Sequence, residues 1–526
     1  MAAQFFEGAA IYSGGEGGDD TAPRKPRWMR PAKHPTADDS TPPRPDPETV
    51  LLDTLAYIDD EANATTASAA RSDGQSEIRV TFWIAHPPRV SYFTIHCPGL
   101  KPDAFRKLPR VVATEDSLAL LRVPVSPEHN LEEDRINEFF IYCAGTGNQL
   151  KQPTLRRLPN PDRRYYSDIE VGILNCRRTD DSFFLVVLHW DPLTTPVTHY
   201  IHIFDSETWK WDTKPVSLSP PESYSYRITD KVFTIGGRYG AMGWVDLWRG
   251  IFIYDVILGG NTVDYKALPS SGVLPTLKGL GETVRDMVMV NGFIKYFCMY
   301  SPGVDTTNVS EDWVAYAWRM KYPLQLDWQQ DCHLKASEIM DNQKHSERRL
   351  KDMPADGGEK PTLMLRAGSP VLSLHDVDVV YIHTKPMYSD EMAWVHAVNM
   401  STKTIHGIAE FSAERTVGFM FNCTQSLIFK PKVIKVEEDN HKNEEDSWTY
   451  VSWKKKKKNG APAGARQGLS SQEGMHIGMS QRGHQMGTNN GRGSSTLGGR
   501  GGKRWSRPHN GMGRGGQVQE DRRYKS

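Results

Sequence analysis

Gly243-Trp244-Val245-Asp246-Leu247-Trp248-Arg249-Gly250-Ile251-Phe252-Ile253-Tyr254-Asp255 is the stretch on which the fold turns. Short apolar and aromatic runs stand on either side of Arg249-Gly250, the pattern of two short strands, 244–248 and 251–257, joined by a turn. Residues 232–235 before it and 263–268 after it read the same way, completing a set of four. Working outward, N-terminal strands are predicted at 78–85, 90–97, 118–125, 139–143, 169–176, 183–190, 199–204 and 209–216. C-terminal ones are predicted at 284–290, 293–300, 313–318, 324–328, 371–374, 377–383, 393–399 and 404–411.

Sets of about four strands thus recur every 50–80 residues. A weak repeat of four-stranded units is what a β-propeller needs, because each blade is a twisted sheet that buries its faces on its neighbours. The expected fold class is all-β: a β-propeller-like body of about five to six four-stranded units, with disordered N- and C-terminal segments. A pair of packed β-sandwiches is the alternative. Closure of the ring is expected from residues 417–421 and 427–430, joined to strands near 78–97, which removes two exposed sheet edges.

The ends differ in composition from the middle. Residues 1–47 hold eight prolines among Gly, Asp and Arg, too little apolar surface to offset the entropy of ordering, so they are expected to be disordered. The propeller-like domain is assigned to 48–435, with an insertion near 335–361 where the strand pattern lapses and 336–350 reads as a short polar helix. Residues 436–526 form an acidic, then basic, Gly/Arg-rich tail that is expected to be disordered. The 526-residue chain has 64 basic and 64 acidic residues. Residues 454–526 carry 16 Lys and Arg against Glu473, Glu520 and Asp521, a charge of 16 − 3 = +13, so residues 1–453 carry 48 − 61 = −13.

No apolar run approaches the ~20 residues that span a bilayer, and no membrane association is expected. The N-terminus lacks a basic region followed by a sustained apolar stretch, so the expectation is a cytoplasmic or nuclear protein, or both. Cys97, Cys143, Cys176, Cys298, Cys332 and Cys423 are scattered without a Cys-x-x-Cys pair, which fits reduced thiols rather than a disulfide framework or structural zinc. Sequons at Asn63, Asn308, Asn399 and Asn422 carry no weight without a secretory route.

Trp244, Asp246, Trp248 and Arg249 form the densest aromatic and charged cluster. Two indoles on one strand face make a platform for a peptide or a base. The structural alternative, which the period-two spacing favours, packs both indoles between blades and pairs Asp246 with Arg249. Asp205 and Asp255 each end a strand and suit turn capping. His189, His199 and His202 do not make a metal site, since residues three apart in a strand face opposite ways. Cys176 or Cys143 with a distant His has no local signature of a nucleophilic pair. Gly236-Gly237 and Gly259-Gly260 lack the following helix of a phosphate loop. Catalytic residues, cofactors and metals are therefore expected to be none.

The tail offers a different chemistry. Lys454, Lys455, Lys456, Lys457 and Lys458 follow Trp448, Tyr450 and Trp453, and Arg492, Arg500 and Arg514 each sit between glycines. Guanidinium groups on a mobile chain pair with phosphates and stack on bases, so the tail is a candidate to bind RNA or single-stranded nucleic acid. The lysine run also reads as a nuclear import signal, and an inert solvated tail is the plain alternative. Glu437-Glu438-Asp439 and Glu444-Glu445-Asp446 lie just before the lysines and compete for them at short range.

The stretch from Gly243 to Asp255, followed by Leu268-Pro269, resembles the signature of a plant family, expanded in grasses, catalogued as domain of unknown function 1618. Val50-Leu51-Leu52-Asp53, Asn63-Ala64-Thr65-Thr66-Ala67 and Pro87-Pro88-Arg89-Val90-Ser91-Tyr92-Phe93 also resemble its members, so the likeness covers about 48–435. It implies a β-rich, propeller-like body and carries no activity or site residues. The expected function is a non-enzymatic scaffold for protein partners whose tail contacts nucleic acid. A pure adaptor with an inert tail, and an enzyme using the propeller's axial pocket, are the competing classes.

Overall fold

The computed structural model describes residues 47–429, apart from 101–104, 106, 125–136, 146–151, 160–166, 176–181, 192–193, 195–196, 220–228, 237–239, 270–278, 305, 308–311, 324–326, 341–365 and 417. The chain divides into two units, 1–437 and 438–526. The second lies wholly outside the described residues, and with it the tail lysines and arginines singled out above.

Among the described residues the elements are strands, with three single turns of 3₁₀ helix. The chain opens with β1 (Val50–Asp53), β2 (Tyr57–Ile58), β3 (Ala67–Ala70), β4 (Glu77–Trp83) and β5 (Val90–His96). Five antiparallel meanders follow, each a blade whose strands pair in sequence order. Blade 1 is β6 (Arg110–Glu115), β7 (Leu118–Pro124), β8 (Asn137–Cys143) and β9 (Thr154–Arg157). Blade 2 is β10 (Val171–Asn175), β11 (Phe183–Asp191), β12 (Thr198–Asp205) and β13 (Lys210–Ser219). Blade 3 is β14 (Lys231–Gly236), β15 (Ala241–Asp246), β16 (Gly250–Asp255) and β17 (Thr262–Ala267). Blade 4 is β18 (Arg285–Val290), β19 (Phe293–Tyr300), β20 (Val314–Lys321) and β21 (Gln329–Lys335). Blade 5 is β22 (Arg366–Leu372), β23 (Val379–Lys385), β24 (Met392–Asn399) and β25 (Thr404–Ser412). The last strand, β26 (Cys423–Ser426), returns to β1 and completes blade 6 in the order β26-β1-β5-β4-β3.

Strand alternation makes this a ring. On β16, Ile251 and Ile253 face blade 4 beside Met287, Ile294 and Tyr296, whereas Phe252 and Tyr254 face blade 2 beside Val186, Leu188 and Ile201. On β7, Ala119, Leu121 and Val123 face blade 6, while Leu118 and Leu120 face blade 2. On β23, Val380 and Ile382 join blade 4, and Val379 and Tyr381 join blade 6. Every blade buries both faces, so the core consists of six seams that close on themselves rather than one central mass. The body is an all-β propeller with six blades. Packed sandwiches would leave two outward faces solvated, and no blade has one.

Blades are also joined in pairs at their outer edges. β13 runs parallel to β17, with Ser217, Leu218 and Ser219 opposite Thr262, Val263 and Asp264, so blades 2 and 3 share an eight-stranded sheet. Met340 bridges blades 4 and 5: its N–H donates to the Lys403 carbonyl (2.9 Å) and its carbonyl accepts from the Ile405 N–H (3.1 Å). β3 of blade 6 lies against β9 of blade 1. Edge groups that would otherwise recruit a foreign strand are partly occupied in this way.

Several boundaries differ from expectation. Ring closure uses Cys423–Ser426, and its direct partner is β1 in antiparallel register; β4 joins the same sheet two strands farther out, through β5. Phe419 and Phe421 pack in the seam between blades 5 and 6, and Ile428 and Phe429 form a turn; Val417 and Lys430 lie outside the described residues. The expected strand at 324–328 begins instead at Gln329; Asp327 and Trp328 precede it, and 324–326 lie outside the described residues. β15 stops at Asp246, because the Asp246 side chain turns back on the chain and leaves Trp248 in the turn. Trp209 also falls in a turn, at φ 56°. Of the expected 336–350 helix, the described part is one 3₁₀ turn, Ala336–Glu338. Strands β2, β3, β6 and β9 were not foreseen, being short or polar.

Candidate functional site

The turn that follows Trp244 is the best-constructed polar cluster of the family-like segment. Asp246 caps it, its Oδ1 accepting the Trp248 N–H (2.9 Å) and its Oδ2 the Arg249 Nη1–H (3.0 Å). Gly250 restarts the chain as β16, and a Cβ there would lie 2.4 Å from the Lys266 carbonyl oxygen and 2.6 Å from the Tyr265 ring, so only glycine fits. The Tyr265 hydroxyl donates to the Arg249 carbonyl (2.9 Å). Two further groups clamp Leu247. Asp230 Oδ2 accepts its N–H (2.7 Å), and Arg285 Nη1 of blade 4 donates to its carbonyl (2.9 Å). The Arg285 guanidinium sits 3.9 Å from the centroid of Trp248, covering that ring with a cation.

Trp244 is 0% exposed and packs with blades 2 and 3, its Nε1–H donating to the Glu170 carbonyl (2.8 Å). Trp248 packs toward the core between blades 4 and 5. The two indoles therefore form no joint platform. Arg249, with its side chain half exposed, is the group of the signature that faces solvent. Asp255 Oδ1 accepts the Leu258 N–H and Asp205 Oδ1 the Glu207 N–H, each at 2.8 Å, as turn caps.

Asp230 is the chemically distinctive member. Burial, with the charges of Asp246 and Glu282 added, pushes its carboxyl up to about 7 against the opposing Leu247 hydrogen bond. The folded state then holds this proton more tightly than the unfolded one, so its contribution to stability falls as pH rises from about 4 through 7. Asp230→Asn keeps an acceptor for Leu247 and removes the charge. Its melting temperature should match wild type near pH 4 and exceed it at pH 8. The gain is on the order of 2 kcal/mol, less than the full shift because the carboxyl is not wholly shut off from water. Equal stabilities at pH 8 would show that Asp230 is not strained by its charge.

Elsewhere, His202 Nδ1 lies 2.8 Å from Thr213 Oγ1 and its ring 5.9 Å from that of His189, while His199 projects from the other face of β12. Among the described residues no three His, Cys, Asp or Glu side chains converge as metal ligands. Cys176 lies outside the described residues. Burial pushes the thiols of Cys97, Cys298 and Cys332 up to about 11, the opposite of nucleophile activation. Of the sequons, the Asn63 amide donates to the Phe82 carbonyl (2.8 Å) and Asn399 is buried. A shallow hollow between blades 1 and 2, with room for little more than a water molecule, is lined by apolar side chains such as Leu120, Phe139, Leu158 and Trp211 and offers nothing to orient a polar ligand.

Asp230, Glu282 and Arg285 were missed in the sequence because they reach the signature from outside it, and no local spacing marks them. His383 and Lys385 were missed as well. Their signal was legible: in Val379-Val380-Tyr381-Ile382-His383-Thr384-Lys385 they continue the parity of two core residues.

Among solved structures, the chain is similar to hydrazine synthase of Kuenenia stuttgartiensis, at 10% identity and a TM-score of 0.30 over 66% of this chain and 79% of that one. It is also similar to Trypanosoma rangeli sialidase in complex with the inhibitor DANA, at 10% identity and a TM-score of 0.28 over 70% of this chain and 53% of that one. No curated protein matches. Residues 244–381, which begin at the signature tryptophan and run through blades 3 and 4 into blade 5, match the model of the family described as protein of unknown function (DUF1618).

Proposed function

We propose that this is a non-enzymatic scaffold of plant origin, acting in the cytoplasm or nucleus, whose propeller binds protein partners and whose basic arm contacts RNA or single-stranded nucleic acid. The observation that carries the reading is the charge split: +13 over residues 454–526, in a lysine run and Arg-Gly-Gly segments, against −13 over the rest. The engaged polar groups of the signature turn support it from the other side. Asp246, Arg249, Asp230 and Arg285 hold one another and the backbone, which suits a rigid presenting surface more than a reaction.

If Lys454, Lys455, Lys456, Lys457 and Lys458 each neutralise one phosphate, the logarithm of affinity falls with that of salt at a slope of about −3.5, or about a hundredfold between ~50 and ~200 mM. Deleting 454–526 should abolish binding of a fluorescent single-stranded RNA in polarisation titrations. Equal affinity of the full and truncated chains would sink the proposal. Protein partners captured by both forms, with RNA recovered by neither, would favour the adaptor.

A further inference from the structure

The seam between blades 5 and 6, where the ring closes, holds polar groups that the fold does not use. Along one face of β23, Val379 and Tyr381 join the apolar core of this seam, and His383 and Lys385 continue the row. Both are 0% exposed. The His383 ring stacks on Phe421 at 4.4 Å between centroids, and Lys385 Nζ lies 5.3 Å from the centroid of the same ring. His383 Nδ1 is 2.9 Å from the Ser369 carbonyl oxygen, which can only accept, so Nδ1 carries the proton and Nε2 the lone pair. Nε2 has no hydrogen-bond partner, nor has Lys385 Nζ. Gln425 on β26 is 5% exposed, and neither its Nε2 nor its Oε1 has a partner. It sits opposite Leu51 in the β1–β26 register, and Leu51 belongs to this seam, so Gln425 faces it too.

A buried cation, an imidazole lone pair and a carboxamide left without hydrogen-bond partners are each costly, the charge most of all. We propose that Lys385 is a carbamylation site: its amine takes up carbon dioxide, and His383 takes the proton released. The Nζ lone pair attacks the carbon of CO₂ and forms the N–C bond. One C=O π pair moves onto oxygen, and an N–H proton passes to His383 Nε2. A neutral amine, CO₂ and a neutral imidazole thus become a carbamate anion and an imidazolium, with atoms and charge conserved. The product replaces a buried cation that lacks a hydrogen-bond partner with an ion pair between the carbamate and the His383 imidazolium.

The electrostatics support the same chemistry. Burial pushes the Lys385 amine down to about 8, opposed by Asp390, so a sizeable fraction is neutral near physiological pH, where an ordinary lysine is almost wholly protonated. Burial, with the nearby Lys385 charge, holds His383 down to about 4, which keeps Nε2 free as an acceptor until the carbamate forms beside it. Carbon dioxide is small and apolar, suited to a phenyl-walled interior, and Lys385 stands two residues from Met387, which is 57% exposed.

The test uses the full chain in ¹³C-bicarbonate at pH 8, with trapping of carboxylated amines by triethyloxonium and peptide mass spectrometry. The expected result is a labelled adduct on Lys385 well above any on exposed lysines such as Lys403. Lys385→Arg should lose it and His383→Phe should reduce it severalfold. Bicarbonate should raise the melting temperature of wild type and leave Lys385→Arg and Lys385→Met unchanged. Absence of the adduct on Lys385, labelling no greater than at exposed lysines, or full labelling in His383→Phe would each overturn the proposal. A melting temperature indifferent to bicarbonate in wild type would do the same.

Discussion

Asp53→Ala should destabilise the folded body by about 3–5 kcal/mol, the cost of stranding a buried charge, and should do so by loosening the ring at its closure. Asp53 is the last residue of β1, the strand that receives β26. Its carboxylate holds Arg415, a residue of the segment leading to β26, and both side chains are less than a tenth exposed. Arg415 also donates to the Ala56 (2.8 Å) and Leu55 (3.0 Å) carbonyls and lies over the Tyr57 ring at 3.6 Å. One guanidinium thereby ties two ends of the body that are 360 residues apart in sequence. Denaturant unfolding measures the loss, and hydrogen exchange locates it, with faster exchange of the paired amides of β1 and β26 than of blade 3. Asp53→Ala with Arg415→Met should recover much of the stability, since no charge is then left unpaired. Unchanged protection of β26 in the single variant would refute the latch.

Trp244→Ala should cost about 3–5 kcal/mol by opening a cavity in the core between blades 2 and 3, with the Glu170 carbonyl losing its donor in addition. Trp248→Ala should cost clearly less, about 1–2 kcal/mol, because that ring is only partly buried and one face is covered by the Arg285 guanidinium rather than by apolar core. The contrast is diagnostic. If the signature were a two-indole binding platform, both changes would leave stability nearly alone and abolish partner capture together. Thermal unfolding of the two variants side by side distinguishes the cases.

The blades were legible because a strand between two neighbours carries its own record. Ile251 and Ile253 against Phe252 and Tyr254 show that both faces are apolar, and both are buried, on different blades. Asp255 was legible for a similar reason, since a cap is decided within four residues. Trp248 was not. Period two continued through 244, 246 and 248 in the sequence, but the Asp246 carboxylate captured the Trp248 N–H and ended the strand, a competition between side chain and ladder that periodicity cannot weigh. β3, with the sequence Ala67-Ser68-Ala69-Ala70, has almost no strand signal of its own and exists because β4 offers it a free edge.

By itself, then, the sequence determined the all-β class, the approximate number of four-stranded units and the opposition of charge between body and arm. Each follows from short-range alternation or from composition. Tertiary structure alone decided that the ring has six blades and that it closes through Asp53, Arg415 and β26. It also decided that Asp230 and Arg285 converge on the signature turn, and that His383, Lys385 and Gln425 are shut into one seam. Those are contacts across tens to hundreds of residues, where burial and the removal of water set the energies. A local pattern shows which face of a strand is apolar, but not which distant polar group will be enclosed beside it.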